Sequence, residues 1–208
     1  DTTVQAWSDA KVVLPHHFFL WVNSNYSAIA ATPDATSSAT LADNNGIALR
    51  YGANDTGEII DSVAWGSTSN GFHFVSSANP AANESLVREN LLEGDDSFSI
   101  VLSNPRNSSA VLEPESEPEP PTELPPVENP PIIEDPTPDL PETPDPEEEE
   151  VEIDIKITEL LPNPSGSDSG FEQIELFNAG EEELNLAGFR LDDVALTDDS
   201  LDVQAVGG

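Results

Sequence analysis

Short apolar runs separated by turn residues dominate the first 112 residues of the chain. Clusters of Asn, Asp and Gly between the runs, such as Asn54-Asp55-Thr56-Gly57, are typical of turns. No stretch keeps a 3.6-residue hydrophobic period, so this part is predicted to be all-β. The predicted strands are Lys11–Leu14, Phe18–Asn23, Ile47–Tyr51, Glu58–Trp65, Phe72–Val75 and Phe98–Leu102.

Two of these runs predict which side chains are buried. Residues 18–22 are apolar at every position, which predicts a strand that is covered on both faces. In Glu58–Trp65 the strict alternation of a strand places one set of residues on a common face. That set is Ile59, Asp61, Val63 and Trp65. The stretch Asn83–Leu92 is compatible with one helical turn and equally with an edge strand at Ser85–Arg88.

A second set of strands follows residue 151. Isoleucines at 153, 155 and 157 alternate with Asp154, Lys156 and Thr158, which predicts a half-buried strand. The next predicted strand is Glu172–Asn178, with Ile174 and Leu176 facing inward. Short strands are expected at Leu184–Leu186 and Phe189–Leu191.

Between these parts the composition changes abruptly. Residues 113–150 consist mainly of Pro, Glu and Asp and contain no basic residue. Proline removes backbone donors and like charges repel, so the segment cannot bury a core. It is predicted to be a disordered Pro/Glu-rich linker that spans up to roughly 100 Å. The chain therefore divides into residues 1–112, the linker at 113–150, and residues 151–208.

Composition limits the partners of this chain. Six Lys and Arg against 41 Asp and Glu give a formal net charge of -35, which repels nucleic acid and anionic lipid. We therefore expect no direct nucleic-acid binding, and no apolar run reaches the ~20 residues of a membrane span. The chain contains no cysteine and no methionine, and its first residue is Asp1. The chain is expected to be a fragment of a longer protein.

Three motifs in the last part carry a family resemblance. ITELLPNP, EQIELFNAG and LNLAGFRLDD occur in this order between residues 157 and 193. Together they resemble the lamin tail domain, of the type found in prokaryotic secreted and surface proteins. The resemblance implies an immunoglobulin-like β-sandwich. Gln173 departs from the pattern, because the family favours tryptophan at that position.

The first part resembles the remainder of the same family pattern. LPHHFFLWVN is similar to the strand after the family's Pro-Gly turn, with His16 and His17 in place of glycines. IALRYGANDTGEIIDSVAWG and DDSFSIVLSNPRNSS resemble the later strands. The chain thus holds the back part of one domain and the front part of the next, as expected for a tandem repeat. We expect residues 151–192 to dock on residues 11–104 as a circularly permuted sandwich, with exchange between two chains as the alternative.

No catalytic constellation accompanies these motifs. His16 and His17 are adjacent, so on a strand they point to opposite faces, and His73 is isolated; each of the three is expected to have a structural or surface role. Buried carboxylates at Asp61, Glu159 and Glu175 are costly unless paired. They are expected to accept hydrogen bonds from loop amides or to meet an arginine, with Arg50, Arg88 and Arg190 as the candidates.

A cluster of acidic residues near the end of the chain is the candidate metal site. Oxygen-rich loops can bind calcium, and the alternative is a solvated loop. The candidate calcium ligands are Asp192, Asp193, Asp198, Asp199 and Asp202. No other cofactor is expected.

The resemblance implies a non-catalytic structural or interaction module of a secreted or cell-surface multidomain protein, so an extracellular or cell-surface location is expected. One alternative is an accessory domain of a secreted nuclease or other hydrolase whose catalytic region lies outside this chain. Another alternative is a calcium-dependent binding module. The ligand or protein partner is left open by the sequence.

Overall fold

The computed structural model describes residues 2–26, 31–42, 44–53, 56–66, 75–76, 78–92, 97–112, 153–164 and 170–193. These residues form strands and no helix. The strands are β1 (Thr2–Ala6), β2 (Val12–Val13), β3 (Phe18–Asn23), β4 (Ala35–Ser37), β5 (Gly46–Tyr51), β6 (Glu58–Trp65), β7 (Val75–Ser76), β8 (Glu84–Arg88), β9 (Phe98–Leu102), β10 (Ile155–Leu161), β11 (Gln173–Asn178), β12 (Leu184–Asn185) and β13 (Phe189–Asp193).

Two sheets enclose a common apolar core. One sheet has the strand order β1-β13-β5-β6-β7 and the other has the order β4-β3-β11-β10-β8-β9, while β2 and β12 form a separate pair. The pairs β3–β4 and β6–β7 are parallel, and the other paired strands are antiparallel. Side chains from both sheets, including Trp21 and Trp65, meet in one cluster. The protein is therefore all-β with a β-sandwich-like core.

The apolar strand β3 is covered on both faces, as its sequence predicts. Phe19 and Trp21 belong to the core between the sheets. Phe18, Leu20 and Val22 alternate with them and are also almost fully buried, on the opposite face of the six-stranded sheet. Alternation places Ile174 and Leu176 of β11 in the core as well, which confirms the predicted orientation.

A β-bulge changes the predicted face of β6. Register shifts between Leu49 and Arg50 of β5, where β6 provides one extra residue, Ile60. An extra residue breaks the two-residue alternation. Val63 and Trp65 belong to the main core, whereas Ile59 packs in a separate small cluster. The prediction that Ile59 shares their face is therefore wrong.

Most predicted strands agree with the structure to within one or two residues. The stretch Ser85–Arg88 is a strand, but β8 is not an edge, because it lies between β9 and β10. Two strands, β1 and β4, carry no predicted counterpart; both contain few large apolar side chains. Of the predicted strand Phe72–Val75, residues 72–74 lie outside the described residues.

The last part of the chain is inserted into both sheets. We call residues 2–112 the N-terminal segment and residues 153–193 the C-terminal segment. Strands β10 and β11 lie between β3 and β8, and β13 lies between β1 and β5. The described residues of both segments belong to one compact unit. This pairing agrees with the expected docking of residues 151–192 on residues 11–104, and it extends to β1.

The C-terminal segment also supplies much of the core. Eight of the nineteen residues of the main cluster are Ile155, Ile157, Leu160, Ile174, Leu176, Leu186, Phe189 and Leu191. Burial of each such side chain contributes about 1.5–3 kcal/mol, and a whole domain is stable by only about 5–15 kcal/mol. The N-terminal segment is therefore not expected to fold without the C-terminal segment.

Candidate functional site

We call the contact between the two segments the seam. The arginines of the N-terminal segment and their carboxylate partners lie there. The arginines of residues 1–112 are Arg50, Arg88 and Arg106. Each of them contacts the C-terminal segment. In a chain with a net charge of -35, this arrangement places scarce positive charge at the seam and leaves the exposed surface still more acidic.

Arg88 holds the seam between the two sheets. Its guanidinium donates two hydrogen bonds to Asp61, at 2.8 and 2.7 Å. Its Nε donates to the carbonyl oxygen of Ile157, at 3.0 Å. The amide N–H of Ile157 donates back to Asp61 Oδ2, at 2.6 Å. This ion pair of the N-terminal segment, in which Arg88 Nη2 contacts both oxygens of Asp61, thus binds both backbone groups of one residue in β10.

Arg106 holds the outer face of the six-stranded sheet. It lies in residues 103–112, which we call the strap. Glu175 of β11 accepts hydrogen bonds from the Arg106 amide at 2.5 Å and from its guanidinium Nη2 at 2.9 Å. Thr158 Oγ1 donates to the same carboxylate at 2.7 Å. The guanidinium also stacks over the ring of Phe18, with its carbon 3.7 Å from the ring centroid.

Glu159 anchors the start of the strap. It lies directly opposite Glu175 on neighbouring strands. Its Oε1 accepts hydrogen bonds from Ser103 Oγ at 2.8 Å and from the Asn104 amide at 2.9 Å. A one-residue register shift at Thr158 brings the two carboxylates into register. Two buried acids that face each other are tolerated here because the strap donates to both.

Arg50 makes the third charged contact, in the five-stranded sheet. Its Nε lies 3.9 Å from Asp192 Oδ2, and both side chains are buried. Asp192 Oδ1 accepts a hydrogen bond from Arg190 Nε at 2.9 Å, and Arg190 also donates to the hydroxyl of Thr3. The guanidinium of Arg50 donates to the carbonyl oxygen of Gly57 at 2.9 Å. Besides the ladder, β13 is therefore linked to β5 by an ion pair without a hydrogen bond between its two atoms, and to β1 by the hydrogen bond from Arg190 to Thr3.

Burial dominates the titration of three carboxyl groups at the seam. It raises the pKa of Asp61 and of Glu175, although Arg88 and Arg106 act in the opposite direction. Burial also raises the pKa of Asp193, against a hydrogen bond from Asn45 Nδ2. Raised pKa values occur at catalytic sites and at structural ion pairs alike. The oxygens of Asp61 and Glu175 already accept hydrogen bonds from the folded chain, which favours the structural role.

The expected partners of the buried acids are right in part. Asp61 pairs with Arg88, and Glu159 accepts a loop amide, as expected. The partner of Glu175 is Arg106, which was not among the candidates. Arg106 lies outside the predicted strands, so no periodic pattern in the sequence indicates it.

The proposed calcium ligands do not form one loop in the described residues. Asp192 lies inside β13 with no exposed surface and faces two arginines, so it is not a solvated residue and is unsuited to bind a cation. Asp193 ends the same strand and accepts a hydrogen bond from Asn45. Asp198, Asp199 and Asp202 lie outside the described residues. In the part of the chain that the structure describes, no three His, Asp or Glu side chains are placed to hold a metal ion.

The described histidines contact protein groups. His16 stacks on Phe177, and its Nε2 lies 3.5 Å from Glu181 Oε1. His17 Nδ1 is 2.8 Å from the carbonyl oxygen of Pro15. These contacts agree with structural roles, and His73 lies outside the described residues.

Comparison with known proteins identifies no relative. No family model matches the chain, and neither a curated protein nor a solved structure matches it. Among the residues that the structure describes, no helix is long and apolar enough to cross a membrane.

Proposed function

We propose that this chain is a non-catalytic, immunoglobulin-like module of the lamin tail type, which serves as a structural or interaction unit of a secreted or cell-surface multidomain protein. The pairing of β1 with β13 carries this proposal. Thr2 lies opposite Asp193, and the two strands run antiparallel. If the chain is read from residue 153 to 193 and then from residue 2 onward, β13 and β1 become consecutive strands of a hairpin. That order is the one in which the family arranges its motifs.

The backbone at His16 supports the family assignment independently. His16 has a φ of 57°, in the left-handed region that favours glycine. The lamin tail pattern has glycine at this turn. Gln173, which stands where the family favours tryptophan, is almost fully buried on the outer face of the six-stranded sheet. Both departures in sequence therefore occur at positions whose environment suits the family residue.

The charged groups support a non-catalytic role. A general acid or base must reach a substrate with a free proton-binding oxygen. Asp61, Glu159 and Glu175 instead accept hydrogen bonds from arginine, hydroxyl and amide groups of the fold. Their environment is that of groups which hold strands together.

A circular permutant tests the proposal. It begins at Ile153, joins Asp193 to Thr2 through a Gly/Ser turn of about four residues, and ends at Leu112. We expect its free energy of unfolding to equal that of the full chain to within about 1 kcal/mol, because every strand keeps its neighbours. Urea unfolding followed by tryptophan fluorescence measures it. A permutant that does not fold, beside a full chain that does, would contradict the strand order of the family.

The same permutant tests the absence of catalysis. It is incubated with double-stranded DNA and with nitrophenyl esters, with Mg²⁺ or Ca²⁺ present. The expected result is the background rate, equal for the permutant and for its Glu175→Gln variant. Turnover by the permutant above the background rate would contradict the non-catalytic role.

A further inference from the structure

The seam has the composition of a binding interface between two separable partners. The C-terminal segment occupies interior positions in both sheets, so its removal leaves four strand edges open, on β1, β3, β5 and β8. It supplies eight of the nineteen residues of the main apolar cluster. Its carboxylates Glu175 and Asp192 meet arginines of the N-terminal segment. Strand addition, an apolar core and matched charges are the means by which proteins bind extended peptides.

The described residues that flank the linker lie close together. The Leu112 amide donates to the carbonyl oxygen of His16, and the His16 amide donates to the carbonyl oxygen of Asn178. The amide of the next residue, Ala179, donates to the carbonyl oxygen of Asp154. Residues 112 and 154 are thus separated by three strand spacings, about 15 Å. About five residues would bridge this distance, whereas the connection runs from residue 113 to residue 152. Its contour length of about 120 Å far exceeds what docking within one chain requires.

We propose that the C-terminal segment is a separable donor, which docks within its own chain and, when that docking is prevented, completes the N-terminal segment of a second copy of this chain. A second copy that lacks its own donor is the fitting acceptor, because it presents the edges of β1, β3, β5 and β8 and the same arginines at Arg50, Arg88 and Arg106. The long connection lets a donor leave its own acceptor and reach another without strain. The inference rests on the seam itself and extends the proposed function from a module to a means of joining modules.

The strength of this association follows from the tether. A connection of this length gives an effective concentration of about 1 mM. At the lower end of the usual stability of a domain, about 5 kcal/mol, the docked form is favoured over the open form by roughly 10⁴-fold. The same donor and acceptor on separate chains should therefore associate with a Kd of about 0.1 μM or tighter. Exchange is measurable at ordinary protein concentrations once docking within the chain is prevented.

Complementation between two defective chains tests the proposal. Phe19 of β3 and Leu176 of β11 are cross-strand neighbours, and both are in the core. Phe19→Asp damages the acceptor and leaves the donor intact, whereas Leu176→Asp damages the donor and leaves the acceptor intact. Each full-length variant alone is expected to be unfolded. Mixed at about 10 μM, far above the expected Kd, they should form a 1:1 complex with half the native tryptophan signal.

The chain that carries both substitutions is the matched control. It has the same lesions at the same total concentration, and it should stay unfolded. The proposal is overturned if the mixture of single variants shows no complex at 100 μM, or if folding in the mixture requires only one of the two variants.

A measurement on unsubstituted residues covers the case in which a variant aggregates. A protease site is inserted in the linker of the full chain, and isotopically labelled and unlabelled samples are cleaved, mixed, unfolded in urea and refolded. Native mass spectrometry should then show pairs with one labelled and one unlabelled part. Parts that remain separate after refolding would sink the proposal. A failure here leaves the turnover and permutant results untouched, so the two proposals can fail separately.

Discussion

Two arginine–carboxylate pairs lie on opposite faces of the six-stranded sheet, and they differ in which segment supplies the charges. Between the sheets, Asp61 and Arg88 both belong to the N-terminal segment and bind the backbone of Ile157. On the outer face, Arg106 of the strap binds Glu175 of the C-terminal segment. The inner pair thus takes both charges from one segment and binds a strand of the other, while the outer pair takes one charge from each segment.

The two pairs also differ in their access to water. The side chain of Arg88 is 1% exposed, whereas that of Arg106 is 33% exposed. A charge that loses its partner in a dry site keeps the full desolvation penalty, while one near the surface regains hydration. The comparison teaches that position in the sandwich, more than the number of hydrogen bonds, sets what each pair contributes to stability.

The largest effect is expected at the inner pair. Arg88→Met should lower the free energy of unfolding by about 3–5 kcal/mol, because Asp61 and the carbonyl of Ile157 are left buried without a partner. Urea unfolding followed by tryptophan fluorescence measures the loss. Adding Asp61→Asn to this variant should restore at least about 1 kcal/mol by removing the orphan charge. A loss of less than about 3 kcal/mol for Arg88→Met alone would mean that water reaches the space between the sheets.

A smaller effect is expected at the outer pair. Arg106→Met should cost about 1–3 kcal/mol, since Glu175 keeps its hydrogen bonds from Thr158 and from the backbone amide of residue 106. The same unfolding experiment compares the two arginines directly. In addition, the variant should open the strap, which faster amide exchange at residues 104–110 would report. Equal costs for the two substitutions would contradict the distinction between the faces.

The smallest effect is the dependence on pH. Burial raises the pKa of Asp61, Glu175 and Asp193, so the folded protein binds more protons than the unfolded chain between the unfolded and folded pKa values. The free energy of unfolding should therefore rise as the pH falls through the raised folded-state pKa values toward the ordinary carboxyl range.

A matched pair of variants separates this effect from general charge repulsion, which acidification also relieves. Glu175→Gln removes one buried titrating group, and Glu183→Gln removes an exposed one. The first variant should gain less stability on acidification than the second. An identical pH dependence in both would assign the effect to the surface charge.

The hydrophobic patterns of the strands predicted the fold better than they predicted the contacts at the seam. Alternation located β3, β10 and β11 and their inward side chains, because the pattern of burial along a strand is written locally. The strands β1 and β4 have weak patterns, and they exist because neighbouring strands offer open edges. The role of Arg106 was not visible, since its partner is 69 residues away and the strap has no periodic signal.

By itself, the sequence determined where most strands lie and that its two outer parts complement one another, and it predicts a middle part without a core. Tertiary structure alone decided the bulges at Ile60 and Thr158, which move side chains between faces, and the pairing of each buried acid. The physical reason is that hydrophobic period is a local property, whereas register and charge pairing are settled only when distant strands pack together and exclude water.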